Sequence, residues 1–320
     1  MDYILLVIGL ALLTFCADML TKGCVGMADR FRVPEFIIGL TVMAVGTSMP
    51  ELTVSAMSAL KGSSDMAVGN VTGSNLFNTL IILGICSLVR PISFTTENIR
   101  RDIPICIGAS LLLWVATADR FFGISEVDTI KRIEGVIMLL LYIAVIVFSI
   151  RSARRDMPNA ETTDEETSTL AMGWGKIMAL IIVGLAGLIY GGNLCLESAT
   201  AIARAWGVSE SIIAITIVAA GTSLPELASS LSAIISKKPS LALGNIIGSN
   251  VANILLILGL SGSINPLTMG DITTFDISVV AGSAILLLVS ALVIGKRRIT
   301  RIEGALYLTI YVAYVVAIMK

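Results

Sequence analysis

The chain contains no histidine. That removes the side chain that most often moves protons near neutral pH and most often ligates transition metals. Charge is scarce: 14% of the 320 residues are Asp, Glu, Lys or Arg, against about 25% in soluble domains. A net charge of -1 leaves no basic field for nucleic acid. The five cysteines (Cys16, Cys24, Cys86, Cys106, Cys195) lack metal-type spacing and mostly fall in apolar runs. There, cysteine acts as a small apolar side chain. No polar segment is long enough to be a soluble domain. No short apolar segment ahead of a small-residue cleavage site opens the chain, so the first apolar run is expected to remain as a span.

What fills the chain is hydrocarbon. Hydrophobic residues make up 56% and mean hydropathy is +0.92. Runs long enough to cross a bilayer, about 17–25 residues, follow one another. Ten spans are read: 3–25, 36–60, 66–88, 103–118 and 133–150, then 177–203, 211–235, 241–260, 277–295 and 304–319. The domain organisation is therefore 1–150, a first five-helix repeat; 151–175, a charged linker holding Arg151, Arg154, Arg155, Asp156, Glu161, Asp164, Glu165 and Glu166; and 176–320, a second repeat.

Lys and Arg prefer the cytoplasmic side of a membrane. With the N-terminus outside, 16 of the 22 basic residues fall in cytoplasmic connections, Lys296, Arg297, Arg298 and Arg301 among them. Both termini are then extracytoplasmic and the linker is cytoplasmic. This predicts a multi-pass protein of the cell membrane.

One string occurs twice. Gly46-Thr47-Ser48-Met49-Pro50-Glu51-Leu52 returns as Gly221-Thr222-Ser223-Leu224-Pro225-Glu226-Leu227. Around it, 39–84 aligns with 214–259 without a gap, at 20 identities in 46 positions. Upstream, Val33, Glu35, Ile37 and Ile38 match Val208, Glu210, Ile212 and Ile213. Each unit has five spans, an odd number, so the second must enter the membrane in the opposite sense. Inverted repeats with a site near the midplane are an architecture of secondary transporters.

Glu51 and Glu226 lie near the middle of spans two and seven. A carboxylate at the bilayer centre costs roughly 2.5–3.5 kcal/mol on insertion scales, so a bound cation or an aqueous cavity must compensate. Pro50 and Gly46 are expected to break the helix and free carbonyls around Ala44 and Val45. Ser48 and Glu51 stand in capping-box spacing, as do Ser223 and Glu226. Spans three and eight add Gly69-Asn70-x-x-Gly73-Ser74-Asn75-x-x-Asn78 and Gly244-Asn245-x-x-Gly248-Ser249-Asn250-x-x-Asn253. Ser74 and Asn78 share a helix face, and the glycines permit close helix approach. The inventory is carboxylates, hydroxyls, amides and backbone carbonyls, with no basic group. Such hard oxygens suit hard cations, and Ca²⁺ takes six to eight of them. Two carboxylates balance one divalent cation, two monovalent cations or two protons, which is a basis for exchange at one site. Asp18 and Glu197 are matched by the repeat with Asn193 and Lys22; they break its symmetry and are read as orienting or access-path residues.

These paired strings resemble those of the cation/calcium exchanger superfamily, most closely the prokaryotic sodium/calcium exchangers, and the likeness covers both halves. It implies an all-α polytopic membrane protein: ten transmembrane helices as two inverted five-helix repeats, with broken helices two, three, seven and eight at the core. Carried over by position, the metal ligands are Ala44 (through its carbonyl), Thr47, Ser48, Glu51, Ser74 and Asn78, with Ala219 (carbonyl), Thr222, Ser223, Glu226, Ser249 and Asn253. The family works by alternating access, with spans one and six sliding across the central bundle. Some members carry Asp at the position of Asn253, and in the potassium-coupled branch a carboxylate there accompanies potassium dependence. Asn253 therefore implies potassium-independent exchange. The long inter-repeat region of animal exchangers is absent, so calcium-sensing domains are not expected.

The expected function is secondary active exchange of Na⁺ for Ca²⁺, both carried as bound ions, with no cofactor. A Ca²⁺ (or other cation)/H⁺ antiporter of the same fold is the alternative. The partners are these ions and the lipid bilayer, with no nucleic acid and no obligatory protein partner implied. A channel reading is disfavoured by the doubly broken, inverted site. An intramembrane enzyme is disfavoured because Ser48 and Ser223 have no His or suitably placed Lys to activate them.

Overall fold

A computed structural model describes residues 1–123, 125–155, 172–208, 219–294 and 297–318. The described residues are helical apart from turns and four two-residue strands. In chain order the helices are α1 (Asp2–Phe31), α2 (Glu35–Thr47), α3 (Met49–Lys61), α4 (Ser64–Val89), α5 (Ile103–Ala116), α6 (Arg132–Arg155), α7 (Trp174–Ala205), α8 (Leu224–Ile235), α9 (Pro239–Ile264), α10 (Thr274–Leu292) and α11 (Arg301–Ile318). Among these residues seven helices are long and apolar enough to cross a membrane, or eight when α2 and α3 count as one bent span. Residues 211–218 of the seventh expected span, Ile212 and Ile213 among them, lie outside the described residues, as does Glu210 just ahead of it. So do 156–171 of the linker, Lys296 and Lys320.

Apolar side chains set the layers. The hydrophobic windows of α4 and α9 are 78% and 94% buried, whereas that of α11 is 17% buried. α4 and α9 are therefore the centre, and α11 presents hydrocarbon outward. Gly244 and Gly248 allow α9 to lie directly on α2. A Cβ at Gly244 would stand 2.2 Å from the Phe36 carbonyl, and one at Gly248 2.5 Å from that of Leu40. The equivalent neighbours of Gly69 and Gly73 fall at 211 and 215, outside the described residues.

The expected break in span two is present. α2 and α3 meet at Ser48 with a bend of 49°. Ser48 leaves helical geometry (φ −81°, ψ 11°) and Pro50 sits in the first turn of α3. Proline there costs nothing, because the first N–H groups of a helix have no partner within it. Ser223 repeats the conformation (φ −89°, ψ 7°), with Pro225 opening α8. Spans three and eight differ from expectation: α4 and α9 run through unbroken. Each instead carries a π-helical stretch, Phe77–Ile82 in α4 and Ala252–Leu258 in α9. Neither interior contains proline, so the ladder widens rather than breaking.

Two small sheets tie the connections. β1 (Ile92–Ser93) pairs antiparallel with β4 (Arg298–Ile299), Ile92 opposite Ile299. β2 (Thr129–Ile130) pairs with β3 (Leu267–Thr268), Thr129 opposite Thr268. α10 starts at a capping box, with Thr273 Oγ1 accepting from Asp276 N–H and Asp276 from Thr273 N–H, satisfying two otherwise orphaned donors. Thr300 and Glu303 make the same exchange ahead of α11.

Candidate cation site

The two repeated strings meet in the core. Thr47, Ser48, Glu51, Ser223 and Glu226 are each at most 2% exposed. The hydroxyl of each serine reaches the carboxylate of the other string. Ser48 Oγ donates to Glu226 Oε1 at 2.8 Å, and Ser223 Oγ donates to Glu51 Oε1 at 3.1 Å. Ser74 Oγ adds a bond to the same Glu51 oxygen at 3.4 Å and stands 3.2 Å from Ser223 Oγ. Neither serine caps its own helix through its side chain. The capping-box expectation is therefore overturned: the hydroxyl that spacing assigned to the local helix is spent across the site.

The backbone expectation is also corrected at Ala44. Its carbonyl accepts the Ser48 N–H at 3.0 Å and the Thr47 hydroxyl at 3.4 Å, so it remains in the helix ladder. Ala219 lies in the single turn Ala219–Gly221 ahead of Ser223.

A supporting layer holds the glutamates. Asn70 Nδ2 donates to the Glu51 carbonyl at 3.3 Å and to Ser55 Oγ at 3.0 Å. Asn245 Nδ2 donates to Ser229 and Ser230 Oγ at 3.1 and 2.9 Å, and its Oδ1 accepts from Thr47 Oγ1 at 3.3 Å. Asn70 and Asn245 thus tie α4 to α3 and α9 to α8. Sequence reasoning missed Ser55 and Ser230. The signal was present, since both follow their glutamate by four residues, one helical turn, and are identical in the two copies.

Oxygen atoms without protein partners mark the middle of the site. They are Glu51 Oε2, Glu226 Oε2, Thr222 Oγ1, Ser249 Oγ, and Oδ1 of Asn78 and Asn253. The two π-helical stretches carry Asn78 and Asn253, and such bulges recur at functional positions. Among the described residues, no ion pair reaches either glutamate, and no group of three or more His, Cys, Asp or Glu side chains is placed to hold a metal. A cation here would meet two carboxylates and neutral oxygens, with no lysine or arginine opposing it. That donor set fits a hard cation.

Asp18 stands apart. It pairs with Lys22 at 2.6 Å and lines a cavity of about 320 Å³ between α1 and α8 with Leu224, Leu227 and Ser232. Glu197 is exposed on α7.

A family model described as sodium/calcium exchanger protein matches residues 1–151 and 176–320. CaxA of Alkalimonas amylolytica is 36% identical over 316 residues, 97% of this chain and 96% of that protein. Sodium/calcium exchanger MaX1 of Methanosarcina acetivorans is 29% identical over 345 residues, 99% of this chain and 98% of that one. Among solved structures, the sodium-calcium exchanger NCX_Mj soaked with Na⁺ and Ca²⁺ superposes with a TM-score of 0.83 at 28% identity, covering 98% of this chain and 97% of that one. A family match over nearly the whole chain, joined to a buried all-oxygen constellation in apolar helices, fixes the assignment: the chain belongs to the sodium/calcium exchanger protein family.

Proposed function

We propose that the protein exchanges Na⁺ for Ca²⁺ across the cell membrane by alternating access. Eleven of the twelve expected positions, Thr47, Ser48, Glu51, Ser74, Asn78, Ala219, Thr222, Ser223, Glu226, Ser249 and Asn253, enclose the ions, while the Ala44 carbonyl stays bonded within its helix. The observation that carries this is the crossed pair of serine–glutamate bonds. Each leaves one carboxylate oxygen buried and unpartnered. Desolvated carboxylates persist when a cation satisfies them. Two negative charges match one Ca²⁺ or two Na⁺, so one ion species displaces the other.

The proposed topology is ten spans in two inverted five-helix repeats, 1–150 and 176–320, joined by a cytoplasmic linker. The sheets support it. β1 follows the third span and β4 the ninth; β2 follows the fourth and β3 the eighth. Each pairing joins loops an even number of spans apart, as loops on one membrane face must be. β1 and β3 occupy repeat-equivalent positions, 92 and 267, yet belong to different sheets. Inversion accounts for this by sending them to opposite faces. Lys238 and Glu35, 2.6 Å apart, join two connections that the same topology makes cytoplasmic.

Asn253 supplies an amide where a third carboxylate would be needed for a further monovalent ion, which supports independence from K⁺. Reconstituted Ca²⁺ flux driven by a Na⁺ gradient tests the proposal. Flux driven by a pH gradient instead would favour the proton-coupled alternative.

A further inference from the structure

The two copies differ at the third position after the glutamate. Val54 follows Glu51, whereas Ser229 follows Glu226. Ser229 is fully buried, and its hydroxyl donates to the Glu226 carbonyl at 3.1 Å. A carbonyl oxygen can only accept, so the Ser229 proton is committed there. Toward Asn245 the same hydroxyl can then only accept, which it does at 3.1 Å. In the first copy no serine intervenes, and Asn70 Nδ2 donates straight to the Glu51 carbonyl at 3.3 Å.

A side-chain amide has a donor end and an acceptor end. With its nitrogen held by Ser229, Asn245 must present Oδ1 at its other end, where Thr47 Oγ1 donates to it at 3.3 Å. The order is one-way: Thr47 to Asn245, Asn245 to Ser229, Ser229 to the Glu226 carbonyl. The Thr47 proton is drawn toward Asn245 and, at 3.4 Å, the Ala44 carbonyl, which leaves the hydroxyl lone pairs for a cation. Were the amide reversed, Nδ2 would donate to Thr47 and occupy a lone pair. Ser230 also accepts from Asn245, at 2.9 Å. Among the described residues its own proton has no acceptor, so it would donate as readily and cannot hold the amide one way round. Among those residues Thr222 Oγ1, the counterpart of Thr47 Oγ1, has no hydrogen-bond partner.

We propose that Ser229 sets the polarity of this chain of hydrogen bonds and so leaves the Thr47 lone pairs facing the transported ion. Ser229 is a positioning residue: it acts through Asn245, and the first copy lacks it. Burial alone would favour the valine that the first copy carries at this position, since a serine here must satisfy a hydroxyl away from water. The two threonines are therefore unequal: Thr47 is oriented before an ion arrives, and Thr222 is not. This rests on the reading of Thr47 as a ligand.

Threonine and valine share a shape and differ by the hydroxyl, so Ser229→Thr and Ser229→Val isolate it. The full chain is reconstituted and Ca²⁺ flux is measured under whichever gradient drives it. Ser229→Val should show a KM for Ca²⁺ about fivefold above that of Ser229→Thr, at the same maximal rate. Ser230→Ala should shift KM less than Ser229→Ala does. Equal KM in the Thr and Val variants, or the reverse order of the two alanine variants, overturns the proposal. So does a difference confined to the thermal midpoint, which is what a merely structural serine gives. Thr47→Val separates the proposal from the reading beneath it. A raised KM there, with equal KM in the Ser229 pair, removes Ser229 alone. A wild-type KM there removes Thr47 as a ligand and Ser229 with it.

Discussion

Ser48 donates a 2.8 Å hydrogen bond to Glu226, 178 positions away, and not to Glu51 in its own string. Ser223 returns the bond to Glu51 at 3.1 Å. Each carboxylate is therefore positioned by the other repeat, and neither half is complete alone.

A hydrogen bond to a charged group contributes about 1.5–3 kcal/mol. Ser48→Ala and Ser223→Ala should each weaken apparent Ca²⁺ affinity roughly 10-fold or more. The double variant should lose approximately the product, because the serines serve different carboxylates. Initial rates of ⁴⁵Ca²⁺ uptake against Ca²⁺ concentration measure this. An unchanged KM in either single variant would remove the crossed bonds from the account.

Glu51→Gln and Glu226→Gln should each abolish exchange while leaving insertion intact. Glutamine keeps the shape and removes the charge that balances the ion. Flux should fall to the protein-free background, with the purified variants still eluting as a single folded species. Wild-type rates in either would discard both glutamates as ligands.

Gly248 places a would-be Cβ 2.5 Å from the Leu40 carbonyl oxygen, and Gly244 places one 2.2 Å from that of Phe36. Backbone atoms cannot swing aside as side chains do. Gly244→Ala and Gly248→Ala should cost about 1–3 kcal/mol, seen as a lower thermal midpoint in detergent. Gly282→Ala, whose methyl meets no described atom within 4 Å, should leave the midpoint unchanged or raise it.

Ser93 and Thr268 are exposed, repeat-equivalent positions. All five native cysteines are buried, so introduced thiols report cleanly. In intact cells an impermeant maleimide should label Thr268→Cys at once, and Ser93→Cys only after permeabilisation. Labelling of both from one side would contradict the inversion.

The elements legible in sequence were those where polarity interrupts hydrocarbon. Glu51, Glu226 and their flanking prolines stand out because a carboxylate beside a helix breaker has no packing purpose in a span. The break at Ser48 followed from Pro50. The partner of the Ser48 hydroxyl did not, because capping-box spacing offers a local acceptor and nothing local reveals that a second chain segment supplies a better one. The π-helical stretches at Asn78 and Asn253 were equally hidden, since one extra residue in a turn leaves no mark in the side-chain pattern of so short a segment. Strands of two residues, such as Ile92–Ser93, are too short for alternation to register.

The decisive measurement is ⁴⁵Ca²⁺ uptake into proteoliposomes loaded with Na⁺, compared with vesicles carrying a pH gradient and no Na⁺. The account predicts uptake that follows the outward Na⁺ gradient, ignores added K⁺ and is absent in Glu51→Gln. Uptake that ignores Na⁺ and follows the pH gradient would contradict it.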